Sequence, residues 1–549
     1  MTESDAILSL TLAEAIAKTD AVEDMQVRIK DRGNGLFEYR SGLTPNTYNI
    51  INASGSSLQL DLQTGLIVNP EHWGQSGTSD SGVMQHIYNT VSDNTVIEAS
   101  GLTIDMDSIV TITGKDNITT QNGSWHWNHQ GSNMIKLSGT LTKPYFRNMN
   151  CFGNSDTFTS QGCIGCSSGV ITNQWQVESC TFENMPFGVF VNADTSGVHT
   201  NFKASLNTFK NIKRDTVTDA SGIGNGLVFA AFAGNIRGAI SQGNSFEICG
   251  RHSLYITSGG NVTSIGDCFD KHRNDGSALV TAGLAALFVA RNSKDVNIIS
   301  PRFSRCSDVA LSIQGVQHLA AQTFGNTVNV ISPTFEDNIA GDFEIGNDSP
   351  SVNGWINNIK ITDVQINQKG NSVTTRGLIL SGLNIEIDGV IVEANQSIGS
   401  SELVDIIRIE DTASSVSQFN NITIRNLKGK DSGSSSRGVH VDAGLLNGTL
   451  DANIKLENID LGSNSLIFES GVVPVNPNYL KLSRGKPVLF SAFTGSFTNK
   501  NSEVNKVDKY AGKKIFSLSG GLVKPLYASG STDISTWVDG VGAVVHTPS

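Results

Sequence analysis

The chain has 549 residues, of which 16% are charged, 7% aromatic and 56 are glycine, and its formal net charge is -12. That acidic balance lacks the basic footprint a phosphate backbone requires, and it argues equally against an anionic membrane surface. No stretch reaches the length of a membrane span, so neither nucleic acid nor membrane insertion is expected.

A chain rich in Gly, Asn, Ser and Thr but poor in charge reads as β-rich and turn-rich. Residues 1–20 read as a short arm with a helical pattern in Leu10, Leu12, Ala13, Ala15 and Ile16. Two alternating runs follow, Met25–Asp31 and Leu36–Arg40, around Arg32-Gly33-Asn34-Gly35, which predicts a hairpin. A small N-terminal β unit over 21–68 follows from it. Next comes Trp73-Gly-Gln-Ser-Gly-Thr-Ser-Asp80-Ser-Gly-Val-Met-Gln85-His-Ile-Tyr88, a glycine loop with Ser and Asp residues suited to cap a short amphipathic helix.

From about residue 95 to 470 the sequence repeats loosely. Strand, Phe, polar turn, strand and Gly or Asn turn recur around Phe182, Phe209, Phe246, Phe269, Phe303 and Phe335. The same beat continues with aliphatics at Val364, Val390, Leu427 and Ile459. The intervals between the phenylalanines run from about 23 to 37 residues, as in a solenoid with loop insertions. The leucine-rich-repeat and propeller signatures do not occur. A parallel β-helix explains more, because a coil cannot bury its apolar face alone and coils stacked about 4.8 Å apart share one core. Phe246 and Phe303 each have a cysteine three residues on, Cys249 and Cys306, which predicts internal stacks at one corner. The expected fold is all-β, with the β-helix over 69–472 and a C-terminal capping and oligomerisation unit over 473–549, starting where Val473-Pro-Val-Asn-Pro breaks the pattern.

Seven cysteines, an odd count, fit a disulfide framework poorly. Cys163-x-x-Cys166 has the spacing of half a zinc site, but no second such pair or nearby His pair completes it. Reduced core thiols in a protein folded in a cytosol are the expectation, as the acidic start Met1-Thr2-Glu3-Ser4-Asp5 lacks the n-region of a secretory signal. Neither a metal nor a cofactor is expected.

The segment Trp73–Tyr88 resembles the "FGAxGDGxxDDTxAIQxA" opening of pectate-lyase-like β-helices. Trp73-Gly74 stands where Phe-Gly is usual, Asp80 falls near the paired aspartates and Gln85 takes the place of the Gln, while the first Asp of the pattern is missing. The ending, Gly512–Phe516 through Trp537-Val-Asp-Gly, looks like the C-terminal unit of many phage tailspikes, and Gly250–Tyr255 with Lys271-His-Arg273 is similar to a stretch of capsule-degrading ones. The resemblance implies a right-handed parallel β-helix, a homotrimer, a place on the virion tail and activity on a capsular or O-antigen polysaccharide. By analogy, the arm at 1–20 would attach to another tail protein.

Aligning the Phe-centred units puts their turns in one column. It reads Glu183; Lys210, Lys213, Arg214 and Asp215; Glu247, Arg251 and His252; Asp270, Lys271, His272, Arg273 and Asp275; Arg302, Arg305 and Asp308; Glu336 and Asp337. In so weakly charged a chain this concentration suits a groove for an extended glycan. Glycoside hydrolysis needs two carboxyl groups roughly 5 to 9.5 Å apart, a separation that one or two coils provide. Glu247 with Asp270 is the first choice, with Asp267 as substitute and Arg251 or His272 holding the base ionised. A lyase would instead neutralise a uronate through Arg251, Arg273 or Lys271 and move protons through His252 or Tyr255. Arg214, Arg302 and Arg305 complete the expected substrate contacts. Recurrent acids on adjacent coils favour hydrolysis.

The bland readings stand beside these. A Glu or Asp in a β-helix turn is more often solvated or capping than catalytic, and His252 and His272 are individually commoner as structural hydrogen-bonders. Tyr255 suits packing between coils. Trp125, Trp127, Trp175 and Trp355 suit core or interface packing more than sugar stacking. A non-cleaving receptor spike, a secreted monomeric lyase and a purely structural solenoid are the competing classes.

Overall fold

The computed structural model describes residues 7–129, 133–153, 162–166, 169–193, 196–212, 224–231, 235–257, 260–272, 285–290, 293, 295–314, 327–346, 357–368, 375–380, 382–394, 404–410, 419–431, 436–441, 454–459, 466–468, 480–482, 514–519, 522–530, 535–538 and 544–547. The chain divides into two units, Met1–Ser253 and Leu254–Ser549.

The first unit opens on a five-stranded sheet. Gln26–Ile29 pairs antiparallel with Gly35–Arg40, the predicted hairpin. Its connection is a 3-10 turn, Lys30–Arg32, closed by Gly33 and Asn34 at φ 58° and 61°. Leu8–Leu10 adds a parallel strand to the same sheet. The helix Leu12–Ile16 behind it carries a full capping box between Thr11 and Glu14. Tyr39 donates its hydroxyl to the Ala15 carbonyl at 2.6 Å, tying that helix down.

The helix Ser81–Thr90 forms at the glycine loop, though not by the expected cap. Asp80 occupies the N-cap position but turns its carboxylate away from the helix. It accepts from the backbone N–H groups of Ser76, Gly77 and Asp105 and from the Gln75 amide, while only 1% exposed. Gln85 grips the edge strand Val110–Thr113: its amide donates to the Thr111 carbonyl at 2.9 Å and accepts from the Thr111 N–H at 2.8 Å. A side chain thus supplies the pairing that a preceding coil would have given, which is how this edge is blunted.

Three long parallel ladders then build the unit, with a shorter fourth through Thr140–Thr142, Ile171–Asn173, Val198–Thr200 and Ile236–Arg237. The first runs from Ile67–Val68 through Val96–Glu98, Thr119–Gln121, Tyr145–Arg147, Gln176–Glu178 and Lys203–Ser205 to Ile240–Gln242. The second runs from Thr103–Met106 through Ser124–Trp127, Asn150–Gly153, Thr181–Glu183 and Thr208–Ile212 to Ser245–Cys249. The third begins at Val110–Thr113 and reaches Asn225–Ala231.

The second unit repeats this plan. Its ladders include Thr263–Ile265 to Leu480–Leu482 and Cys268–Asp270 to Lys428–Asp431. The third begins with Leu254 and its neighbours against Ala285–Ala290. A four-stranded antiparallel sheet, Lys514–Ser519 with Leu522–Ala528, Trp537–Val538 and Val544–His546, closes the sequence. Every ladder strand pairs with its counterpart one coil on, so the fold is the right-handed parallel β-helix.

Alternation decides what faces where. Phe182, Phe209 and Phe246 are 0% exposed and stack with centroids 5.0 and 4.8 Å apart in the first unit. Phe269, Phe303 and Phe335 do the same in the second, at 4.8 and 5.1 Å. Each such pair adds about 0.5–1.5 kcal/mol beyond its burial. Cys249 and Cys306 are buried at the following corner, as their spacing predicts. Among the described residues the cysteines are free thiols, and Cys268 alone of the seven is exposed. Corners are made by single left-handed residues: Asn184, Asn211 and Ile248, two residues after Phe182, Phe209 and Phe246 in the first unit, then Lys271, Arg305 and Asp337, two after Phe269, Phe303 and Phe335 in the second, with φ between 50° and 58°. Asn is at ease there; Ile248, β-branched, is strained. No helix among the described residues is long and apolar enough to cross a membrane.

Candidate functional site

Because one residue of each second-ladder strand, Ile104, Trp125, Cys151, Phe182, Phe209 or Phe246 in the first unit, is buried in the core, the next residue points out, and register stacks these outward residues. In the first unit the column is Asp105, His126, Phe152, Glu183, Lys210 and Glu247, each the Cα partner of the next. Lys210 Nζ lies 3.8 Å from Glu183 Oε1, with the two side chains 46% and 27% exposed. Glu183 and Glu247 flank Lys210 on either side, two coil spacings apart, which is roughly 10 Å between backbones. His126 and Phe152 meet edge to face at 5.4 Å. Arg251, half-buried, follows Glu247 past the corner, where its N–H bonds to the Gly224 carbonyl at 2.9 Å. His252 is 3% exposed, with its backbone N–H on Asn225 Oδ1.

The second unit carries a column of its own, Asp270, Ser304 and Glu336. Arg305 forks onto Asp270, with Nε 2.9 Å from Oδ1 and Nη2 on Oδ2, and Ser304 Oγ donates to Oδ1 at 2.6 Å. Lys271 Nζ stands 3.9 Å from the same carboxylate. Arg302 sets Nε and Nη2 on Glu336 Oε2 at 3.1 and 2.7 Å. Glu336 beside it raises the Arg302 guanidinium pKa further. Both carboxylates therefore accept from a guanidinium, and each arginine commits its Nε and one Nη2 donor to that partner. Tyr255 is half-buried with its ring 5.5 Å from Phe288.

Two expected site residues face inward. Asp267 is 0% exposed and accepts from Ser264 Oγ at 2.7 Å. It stands two residues before Phe269, on the same side of the strand. Asn207 and Asn244 hold the corresponding places before Phe209 and Phe246, and there Asn207 Nδ2 donates to Asn244 Oδ1 at 2.9 Å, an internal amide ladder. His272 is also 0% exposed, with the Ser307 N–H on its carbonyl. Neither side chain reaches a surface where a polymer could lie. Arg214, Arg273 and Trp355 lie outside the described residues. Trp125, Trp127 and Trp175 are at most 1% exposed, so they pack in the core instead of stacking on sugars.

His126 and Phe152 escape a reading centred on charge, yet the same period of two that buries Trp125, Trp127 and Cys151 turns them outward. A further buried group, Asp342 with Asn338 and Arg376, lies in the second unit. Burial pushes the Asp342 carboxyl up to about 6, against the opposing pull of Arg376 and of Asn338 Nδ2, 2.9 Å from Oδ1. No cluster of three or more His, Cys, Asp or Glu residues placed to hold a metal occurs among the described residues.

No protein-family model matches the chain, and no curated protein sequence does. Among solved structures, the enzymatically active domain of bacteriophage CBA120 tailspike protein 2 is 9% identical at a TM-score of 0.35, over 96% of this chain and 69% of that one. The tailspike gp49 of Acinetobacter baumannii bacteriophage Fri1, a capsular polysaccharide depolymerase, is 9% identical at 0.39, over 97% and 92%. The catalytic unit of a GH87 alpha-1,3-glucanase from Streptomyces thermodiastaticus is 12% identical at 0.45, over 78% and 73%.

Proposed function

We propose that this chain is a tailspike-type depolymerase that binds a bacterial capsular or O-antigen polysaccharide along its β-helix and cleaves it internally by hydrolysis. The observation that carries this is the in-register outward column of the first unit, in which Glu183, Lys210 and Glu247 follow one another coil by coil. An extended glycan lying along the ladder would meet one functional side chain per coil. Glu183, ion-paired to Lys210, is cast as the base that activates water, and Glu247 as the acid that protonates the leaving glycosidic oxygen. Two coil spacings, roughly 10 Å between backbones, are far wider than the about 5–5.5 Å of retaining enzymes and nearer the about 6.5–9.5 Å between carboxyl groups of inverting ones, so inversion at the anomeric carbon is expected.

Asp270 takes the part of an Arg-bound structural carboxylate in this reading. The lyase alternative is less well supported, because its proton carriers are buried or packed: His252 is 3% exposed and Tyr255 lies against Phe288. A homotrimer on a virion tail, joined through the N-terminal residues to another tail protein, is part of the same proposal.

The test is incubation with a panel of purified capsular and O-antigen polysaccharides, read by mass spectrometry. Hydrolysis gives oligosaccharides one water heavier than the intact repeat, and Glu183→Gln and Glu247→Gln should each slow their release by about 10²–10⁴-fold. Products at the mass of the repeat with an unsaturated uronate would establish elimination instead. A glycan that is bound and left whole would make the chain an adhesin.

A further inference from the structure

The outer face of the first ladder, in the first unit, holds an arginine that is oriented by neutral groups and makes no ion pair among the described residues. Arg147 is exposed, yet its Nε donates to Gln121 Oε1 at 2.5 Å and its guanidinium carbon lies 5.7 Å from the centroid of the Tyr145 ring. Gln121 in turn donates to Glu98 Oε2. Glu98 is itself fixed by Asn122 Nδ2 at 2.7 Å and Ser100 Oγ at 2.6 Å on Oε1. Burial opposes the charge on Glu98, but these bonds prevail and hold its carboxyl at about 2. The chain Glu98, Gln121, Arg147 is thus a relay of three consecutive coils, in register, that aims a guanidinium outward.

Glu178, its Cα partner one coil further on, is engaged by another donor. That carboxylate accepts the Tyr145 hydroxyl, and Arg147 makes no ion pair among the described residues. Lys203 stands two coils beyond Tyr145 on the same face, after Gln176, and it too makes no ion pair there. An exposed arginine with nothing to orient it would sample many rotamers. One held by a hydrogen-bonded relay and an aromatic face has already lost that freedom, which is the preorganisation a binding group needs. The planar fork suits a carboxylate, and an ammonium about two coil spacings along the ladder suits a second acidic group on an extended chain.

We infer that this face is a recognition site for a carboxylated sugar, a uronate or similar acidic unit, seated on Arg147 with Lys203 as a second contact. The inference rests on the glycan-binding part of the proposed function and adds the substrate class: an acidic polysaccharide.

The experiment measures binding of acidic and neutral capsular polysaccharides, and of carboxyl-reduced versions of the acidic ones, to the full chain and to its Arg147→Gln, Arg147→Lys and Lys203→Gln variants. Circular dichroism checks that each variant keeps the fold. The wild-type protein should select carboxylated glycans. Carboxyl reduction or Arg147→Gln should weaken binding by about 10- to 100-fold. Arg147→Lys should restore only part of it, since the charge returns without the fork. A neutral preferred glycan, or affinity indifferent to both carboxyl reduction and Arg147→Gln, overturns the inference. If the protein cuts its glycan normally in that case, the depolymerase reading stands alone. If a carboxylated glycan is bound through Arg147 yet left uncut, the inference stands and the depolymerase reading falls. Binding to no glycan at all would remove both.

Discussion

Gly377 and Phe343 are Cα partners on adjacent coils of the second unit, and substituting the glycine tests the packing argument most directly. A Cβ built on Gly377 would lie 2.1 Å from Phe343 Cζ and 2.5 and 2.6 Å from its two Cε atoms. Carbon atoms settle about 3.5–4.0 Å apart, so the ring would have to withdraw by more than about 1 Å. It has little room, being 2% exposed with its centroid 6.2 Å from Phe335. Gly377→Ala should therefore destabilise the protein by about 1–3 kcal/mol through overpacking. Phe343→Ala alone should cost about 3–5 kcal/mol, by leaving a cavity. In the double variant the new methyl enters the space the ring has left, so the alanine at 377 becomes nearly neutral. The two effects should then fail to add by roughly the overpacking cost. Urea unfolding of the four proteins, followed by tryptophan fluorescence, measures the cycle. Strict additivity would refute the claim that the glycine is there to admit the ring.

Three further outcomes follow from the same geometry. Gln85→Ala should strip the edge strand of its amide cap, leave the Thr111 N–H and carbonyl unpaired, and lower stability by about 1–3 kcal/mol in thermal melts; an unchanged melt would show that water caps the edge equally well. The Asp342 carboxyl, at about 6 in the fold against an ordinary value of 3.8, binds its proton more tightly folded than unfolded, so its contribution to stability is greatest at acid pH and falls as pH rises from about 4 to 6. The loss is about 3 kcal/mol, and Asp342→Asn should flatten that slope in urea midpoints taken across the window, an undiminished slope assigning the proton elsewhere. Asp267→Asn should leave glycan cleavage unchanged, because an amide already serves at the matching positions Asn207 and Asn244; a large drop in rate would return Asp267 to the catalytic list.

Much of the fold was legible because a solenoid writes the same instruction many times. Phe182, Phe209, Phe246, Phe269, Phe303 and Phe335 fall at one place in successive repeats, and a ladder in register turns that sequence coincidence into a ring stack. Gln85 was legible as part of an opening pattern, although its grip on Thr111 was not, since the edge it seals is created only by folding. The candidate site was less so. Charge density along the chain marked the turns after the phenylalanines, but the side of the sheet is set by parity. Asp267 and Phe269 share it and go inward; Asp270 has the other and faces out. Arg147 carried no signal of its own, because what distinguishes it, the relay through Gln121 to Glu98, joins residues about one coil apart in sequence.

The left-handed corner residues have a consequence for how such a protein can change. The first and second ladders of the first unit are joined in the same way, Glu178 to Thr181, Ser205 to Thr208 and Gln242 to Ser245, each through two residues of which the first, Ser179, Leu206 or Gly243, is left-handed at φ 53°, 57° or 62°. One extra residue there would invert the alternation of the strand that follows, sending a phenylalanine to solvent and a carboxylate to the core. Length variation is forbidden at these corners, while replacement of an outward side chain disturbs no buried neighbour. If the proposed glycan lies along that exposed row, its recognition can change by single substitutions there, on a scaffold whose insertions are made away from these corners.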